Sequence, residues 1–427
     1  MNFLRRLRKL LLTSRPARFV GQFSHNAQLF LLSTLIGGIT LAGFNLFFNI
    51  YLRSRGFDLD FIGVLNAIPA ASALIVGVPM GILSDRIGRR RAMLIGLGTA
   101  ILGAWGVVTA DTRVTMLLMS GVMGIANSLY YLSMAPFMMR ASGDKERTLL
   151  FSLNFGLMTI SGAVGNLIAG QLPAWFAHGL GVGAESPEAY QAVLLASVWG
   201  GGMGLIPIWL IREGQRPDPR QAPPIGFADF RRLLRRSVLR MAVPNFVIGL
   251  GAATLIPYLN LFFKGRFQID DGSLGVLFSL SAMLTGVATI VGPRIAERLG
   301  GKIKAVVFTQ GTSIAFLLIM GFSPFFLLSG AAFLVRAALM NMSTPLYSAF
   351  TMEQTPEHER GAVNSMLQLM WEVGWTVGPY LSGVVQARYG FGPLFISTAV
   401  LYCLAIGLTW LFFRNAEAQA KSAAAVA

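Results

Sequence analysis

The sequence predicts an all-α integral membrane protein whose twelve transmembrane helices form two pseudo-symmetric six-helix halves. Composition, the length of the apolar runs and an internal repeat carry that prediction. Of the 427 residues, 54% are hydrophobic and 13% charged, and the mean hydropathy is +0.61. A soluble domain this apolar would have too few polar side chains to cover its surface. The runs also reach the roughly 20 apolar residues that cross a hydrocarbon core as helix.

Twelve spans are expected near 27–52, 58–83, 91–110, 114–138, 147–176, 189–211, 240–263, 273–296, 303–321, 323–350, 361–387 and 391–413. Proline recurs inside them, as at Pro69, Pro79, Pro136, Pro244, Pro257 and Pro345. Transmembrane helices tolerate this because neighbouring helices or water take up the freed backbone groups.

The repeat is read from five correspondences. Asn49–Arg55 returns as Asn260–Arg266 at an offset of 211, and Gly63-Val-Leu65 as Gly275-Val-Leu277 at 212. Asp85-Arg-Ile-Gly88 returns as Glu297-Arg-Leu-Gly300, also at 212. Glu146-Arg147 returns as Glu359-Arg360, and the Gly165…Gly170 pair as Gly378…Gly383, both at 213. Five matches in chain order at nearly constant spacing imply two parallel units. The expected organisation is a basic N-terminal segment (1–26), an N-terminal half (27–211), a linker (212–239), a C-terminal half (240–413) and a tail (414–427).

The net charge of +16 is distributed unevenly. With the even-numbered connections and both tails on one side, that side holds 28 Lys and Arg against 6 opposite, and Arg336 alone lies within a span. The positive-inside rule then makes both termini cytoplasmic, in a multi-pass plasma (inner) membrane protein. The charge orients the chain in the membrane and gives no reason to expect a nucleic-acid partner. The N-terminal MNFLRRLRKLLLTSRPARF reads either as an interfacial helix on anionic lipid or as a basic tail that only sets topology.

Enzyme chemistry finds no footing. Cys403 is the single cysteine, and His25, His178 and His358 are scattered, so neither a metal site nor a cofactor is expected. The spans hold no Ser/His/Asp or Cys/His set, and no GxxxxGK[ST] phosphate loop suggests ATP-driven pumping. A channel would share the apolar spans but would not need a duplicated charged corner.

That corner is Gly81-Ile-Leu-Ser-Asp85-Arg86-Ile-Gly88-Arg89-Arg90 between spans 2 and 3. A degenerate copy, Glu297-Arg298-Leu-Gly300, falls between spans 8 and 9, and Pro356-Glu-His-Glu-Arg-Gly361 precedes span 11. Together these resemble the signature of the major facilitator superfamily, in the loops where that family carries it. The resemblance covers nearly all of the chain except the tails. It implies a secondary transporter working by alternating access. It also implies that Asp85 faces the N-terminus of helix 11 and Glu297 that of helix 5, each acid latching the halves when the cytoplasmic side is shut. An acid is stabilised at a helix N-terminus, which gives the latch a physical basis. A purely topogenic loop would explain the arginines but not the repeated acids.

The resemblance implies a central cavity lined by helices 1, 4, 7 and 10. Candidate substrate or coupling residues are the polar groups at membrane depth: Asn45 on helix 1, Asn127 and Tyr130 on helix 4, Asn245 and Tyr258 on helix 7, Arg336 on helix 10, and Gln368, Trp371, Glu372 and Trp375 on helix 11. Mutual pairing of Arg336 with Glu372 is the first expectation, since an unpaired charge at that depth is costly. Helix 1 lacks the acid that some proton-coupled drug exporters of the family carry, so any proton coupling is expected in the C-terminal half. Export of an amphipathic organic solute by a monomer leads, with protons as the coupling ion; uptake of a nutrient or organic anion is the alternative.

Overall fold

Each expected span is a helix in the computed structural model, which describes residues 23–212 and 235–415. In the N-terminal half the helices are α1 (His25–Ser54), α2 (Leu59–Ile87), α3 (Arg89–Thr109), α4 (Arg113–Ala141), α5 (Asp144–Leu180) and α6 (Pro187–Met203), which resumes as Leu205–Leu210. The C-terminal half has α7 (Arg236–Leu255), a 3-10 turn (Ile256–Tyr258) leading into helix Leu259–Phe267, then α8 (Asp271–Arg298), α9 (Lys302–Phe322), α10 (Phe326–Glu353), α11 (Arg360–Tyr389) and α12 (Gly392–Phe413). The basic N-terminal segment with its interfacial-helix reading, most of the linker and nearly all of the tail lie outside the described residues.

Local chemistry fixes the ends. Ser24, Thr112 and Ser186 accept main-chain N–H bonds at the starts of α1, α4 and α6. Asp270 does the same for α8, and bonds from the Ser273 N–H and hydroxyl hold its carboxyl below the usual range. The α2–α3 corner turns on Gly88 at φ 93° and the α8–α9 corner on Gly300 at φ 75°, a backbone region that favours glycine.

Eleven spans, counting α7 with its continuation as one, are individually long and apolar enough to cross a membrane. The other, α11, has sufficient length at 30 residues but too little apolar character. It packs against α7 and α2. Its counterpart α5 packs against α1 and α8, as the repeat requires.

The cores differ between the two ends of the bundle. At the end away from the termini, one apolar cluster runs through both halves and includes Phe47, Tyr51, Tyr190, Tyr258, Phe262 and Phe395. At the basic end each half closes on its own cluster: Phe30, Met93 and Phe137 in the first, Met241, Ile303 and Phe350 in the second. The halves are welded at the far end and independent at the basic end.

Candidate functional site

The weld has a backbone contact on each flank. A Cβ built on Gly63 of α2 would lie 2.9 Å from the Cα of Gly383 on α11; one on Gly275 of α8 would lie 2.8 Å from the Cα of Gly170 on α5. Both distances are shorter than side chains permit, so these crossings need glycine. Between them, α1 meets the broken stretch after α7. Asn49 Nδ2 donates to the Pro257 carbonyl at 2.6 Å, and its Oδ1 accepts from Asn66 at 2.8 Å. Asn260 Nδ2 donates to the Leu46 carbonyl at 2.7 Å, and its Oδ1 accepts the Leu261 N–H at 2.8 Å.

One flank also carries charge. Lys264 pairs with Asp271 and, at 2.9 Å, with Glu185 on the connection before α6. Tyr190 of α6 donates to Asp271 at 3.1 Å, and the Lys264 ammonium lies 5.6 Å from the Tyr190 ring centroid. This network joins the halves through α6 and α8.

At the basic end the expected contact of Asp85 with α11 is not made among the described residues. Asp85 is held by Arg89, the first residue of α3, instead of reaching across to α11. Arg89 also donates to Ser84 at 2.7 Å, and Arg90 donates to the main-chain carbonyl of Trp209. Gly81, Gly361 and Gly156, on α2, α11 and α5, have open space where a side chain would stand. Glu297 and Arg298 are exposed, and Arg86 is exposed beside the same corner.

A cavity of about 260 Å³ lies within the N-terminal half. It exists because α1 packs on α5 and α6, α4 packs on α2 and α3, and α1 and α4 barely touch. The predicted residues Asn45, Asn127 and Tyr130 do come together here, with Tyr131, Met134 and Met158 beside them. The cavity runs from Asn45 at mid-depth toward Ser33 and Met134 nearer the basic end. Its back wall was not foreseen: Leu97, Ala100, Ile101 and Ala104 of α3 and Ser197, Val198 and Gly201 of α6. The i, i+3, i+4, i+7 spacing of Leu97, Ala100, Ile101 and Ala104 on α3 marks one apolar face. The described lining is uncharged.

The C-terminal candidates do not line this cavity, and three serve as struts. Asn245 donates to the Leu367 carbonyl at 2.9 Å, tying α7 to α11. Tyr258, fully buried, donates to the Pro379 carbonyl at 3.0 Å. Arg336, only 4% exposed, donates to the Tyr402 hydroxyl of α12 at 2.8 Å. The expected Arg336–Glu372 pair is therefore corrected. The guanidinium turns into the C-terminal bundle, where a phenol oxygen accepts from it and the same ring lies 5.8 Å away. Glu372 instead accepts from Gln368, one turn back on α11, at 3.0 Å. Trp371 packs over Gly249 of α7 and lies 6.2 Å from Trp375, whose buried indole N–H has no hydrogen-bond partner among the described residues.

Two six-helix bundles joined at one membrane face and parted at the other, with an uncharged cavity inside the first, are the architecture of an integral multi-pass secondary transporter. The chain belongs to the Major Facilitator Superfamily, whose sequence pattern matches residues 30–261 and again 241–426. It is 24% identical over 394 residues to the multidrug resistance protein MdtG of Proteus mirabilis, covering 89% of this chain and 94% of that one. It is 22% identical to the uncharacterized MFS-type transporter YxaM of Bacillus subtilis, covering 86% and 91%. Among solved structures it resembles a bacterial homolog of the human lysosomal transporter Spinster in an inward-facing and occupied conformation. That likeness has a TM-score of 0.74 at 14% identity, covering 94% of this chain and 98% of that one. The nucleoside transporter NupG is similar in fold, with a TM-score of 0.72 at 15% identity, covering 91% and 100%. The family and the fold are those of small-solute transporters, not of enzymes.

Proposed function

We propose that this transporter exports an amphipathic organic compound from the cytoplasm, coupled to proton entry, as a monomer in the plasma (inner) membrane. The basic end is the cytoplasmic one, because arginine and lysine concentrate there. The conformation is then inward-facing: sealed outside, open inside, with an uncharged cavity presented toward the cytoplasm. That cavity carries the reading, since apolar walls with a few neutral hydrogen-bonding groups suit an amphipathic solute. The multidrug resistance name of one relative supports the outward direction. Uptake of an anion loses its main support, because Arg336 is buried against Tyr402.

The unit boundaries read from the sequence, 27–211 and 240–413, are the moving bodies of this cycle. Asp85 and Glu297 act as the inner latch when those bodies rock, with Gly81, Gly88 and Gly300 allowing the helix ends to close and Arg86, Arg89, Arg90 and Arg298 serving the same corners. Glu372 is the coupling acid. Everted membrane vesicles test the scheme. A proton gradient, acid inside, should drive accumulation of a lipophilic fluorescent dye, and an uncoupler should release it. Gradient-independent equilibration, or accumulation only in right-side-out vesicles, would reject export.

A further inference from the structure

We infer that the α1–α4 cavity is a subsite for the apolar part of a neutral amphiphile, placed inside the N-terminal half rather than between the halves. The identity of the solute rests on the exporter reading; the position of the subsite rests on geometry. At about 260 Å³ the cavity falls just short of the roughly 300–1,000 Å³ of a complete small-molecule site, so it accommodates one moiety and not a whole ligand.

Three of its hydroxyls are already engaged. Ser33 donates to the Gly204 carbonyl at 2.9 Å, Thr34 to Asn154 at 2.8 Å, and Thr40 to the Ile36 carbonyl at 3.0 Å. Against the apolar wall of Leu97, Ala100, Ile101, Ala104 and Val198 water finds no partner, whereas hydrocarbon loses nothing. The side chains of Asn45 and Asn127 on the same cavity make no hydrogen bond among the described residues. Neutral amides recognise a hydroxyl, carbonyl or amide rather than an ion, and no charged side chain lines the described wall to hold a counter-charge. A ligand with a polar neutral head toward these amides and a hydrocarbon part toward α3 and α6 meets both requirements.

The probe is a homologous series of alkyl 4-hydroxybenzoates, methyl to octyl, below the phenol's pKa. Binding to the full chain in lipid nanodiscs is read by equilibrium dialysis. Affinity should rise about fourfold per methylene until the cavity is filled. A Cβ on Gly37 would meet nothing within 4 Å, so Gly37→Leu projects into the cavity without a backbone clash. It should cost the octyl ester about tenfold or more, the worth of two or three methylenes, and leave the methyl ester unchanged. Met158→Ala should extend the series by enlarging the cavity, and Gly98→Leu, outside the lining but equally unobstructed, should do neither.

Identical chain-length profiles in wild type, Gly37→Leu and Met158→Ala would overturn the subsite. So would a co-purified lipid that the octyl ester cannot displace. The predicted profiles without gradient-driven movement of the esters would uphold the subsite and count against export alone.

Discussion

Asn49 and Asn260 hold each other's half by the same bond. Asn49 donates to the carbonyl of Pro257 and Asn260 to that of Leu46; donors and acceptors are both 211 positions apart. The two hydrogen bonds are therefore images of one another under the internal pseudo-two-fold. Pro257 sits in the 3-10 break after α7, where the Leu261 N–H turns to Asn260 and leaves the Pro257 carbonyl for α1. A rocking motion that opens the far end breaks both bonds together.

Removing either amide should loosen that end by about 1 kcal/mol, the net worth of one hydrogen bond, and so raise the open population several-fold. Asn49→Ala and Asn260→Ala should give similar shifts, since the cross-half bonds are equivalent and each variant also frees one further donor, the Asn66 amide or the Leu261 N–H. Spin-label distances across the far ends of α1 and α7 would report the shift. A large asymmetry between the two variants would contradict the symmetric gate.

The glycine crossings should be less forgiving. A leucine at Gly63 would have to displace the backbone of α11 at Gly383, and a leucine at Gly275 that of α5 at Gly170. Packed interfaces yield to such intrusion by separating rather than deforming. Gly63→Leu and Gly275→Leu should therefore fold but favour the far-end-open arrangement and stop turnover. In a Cys403→Ala background, a cysteine at position 45 should gain reactivity toward an impermeant reagent applied from that side. No gain would mean that the flank can close without glycine.

Much of this gate was legible in the sequence, because its contact residues are the repeat itself. Gly63, Gly275, Gly170, Gly383, Asn49 and Asn260 all fall in segments that match across the halves. What they touch was not legible, since a repeat reveals equivalence and not contact. The Arg336 expectation failed for a related reason. Charge arithmetic seeks an acid for a buried base, but what the guanidinium meets among the described residues is a tyrosine hydroxyl on α12, which accepts one N–H and leaves Nε unpaired. The walls that α3 and α6 lend to the cavity escaped because an apolar face such as Leu97, Ala100, Ile101 and Ala104 does not say whether it packs on a helix, on lipid or on a cavity.

The one-sided charge network gives a stability prediction. Asp271 is buried at 8% side-chain exposure and depends on Lys264, whereas Lys264 at 15% has Glu185 in reserve. Lys264→Met strands a buried carboxylate and should cost about 3–5 kcal/mol, the usual penalty for breaking a buried pair. Asp271→Asn leaves the lysine paired with Glu185 and should cost clearly less. Thermal unfolding in detergent would rank them, and the reverse order would show that Asp271 does not depend on Lys264 and that the Tyr190 hydroxyl suffices to hold it.

Tyr402→Phe separates a strut from a substrate-binding residue. It leaves the Arg336 guanidinium buried with fewer acceptors, so stability should fall by about 1.5–3 kcal/mol. Substrate affinity, measured on the protein that remains folded, should not change. A selective loss of affinity for anionic solutes would return Arg336 to the transport pathway.

Glu372 yields the sharpest prediction because its environment differs from the one expected. It sits 12 residues into α11, roughly 18 Å from the basic end at 1.5 Å per residue. It is half-buried, and its hydrogen-bond partner is the neutral Gln368. Among the described residues no cation pairs with it in this conformation, which suits a group that takes up and releases a proton as access alternates. Glutamine in its place keeps the acceptor for Gln368 and removes the proton site. Glu372→Gln should therefore change stability by no more than about 0.5 kcal/mol, in contrast to the 3–5 kcal/mol that severing an ion pair would cost. In proteoliposomes the variant should retain solute exchange and lose accumulation driven by an imposed pH gradient. Thermal unfolding and transport on the same preparation decide the matter: a stable variant that still accumulates solute would remove Glu372 from the coupling path.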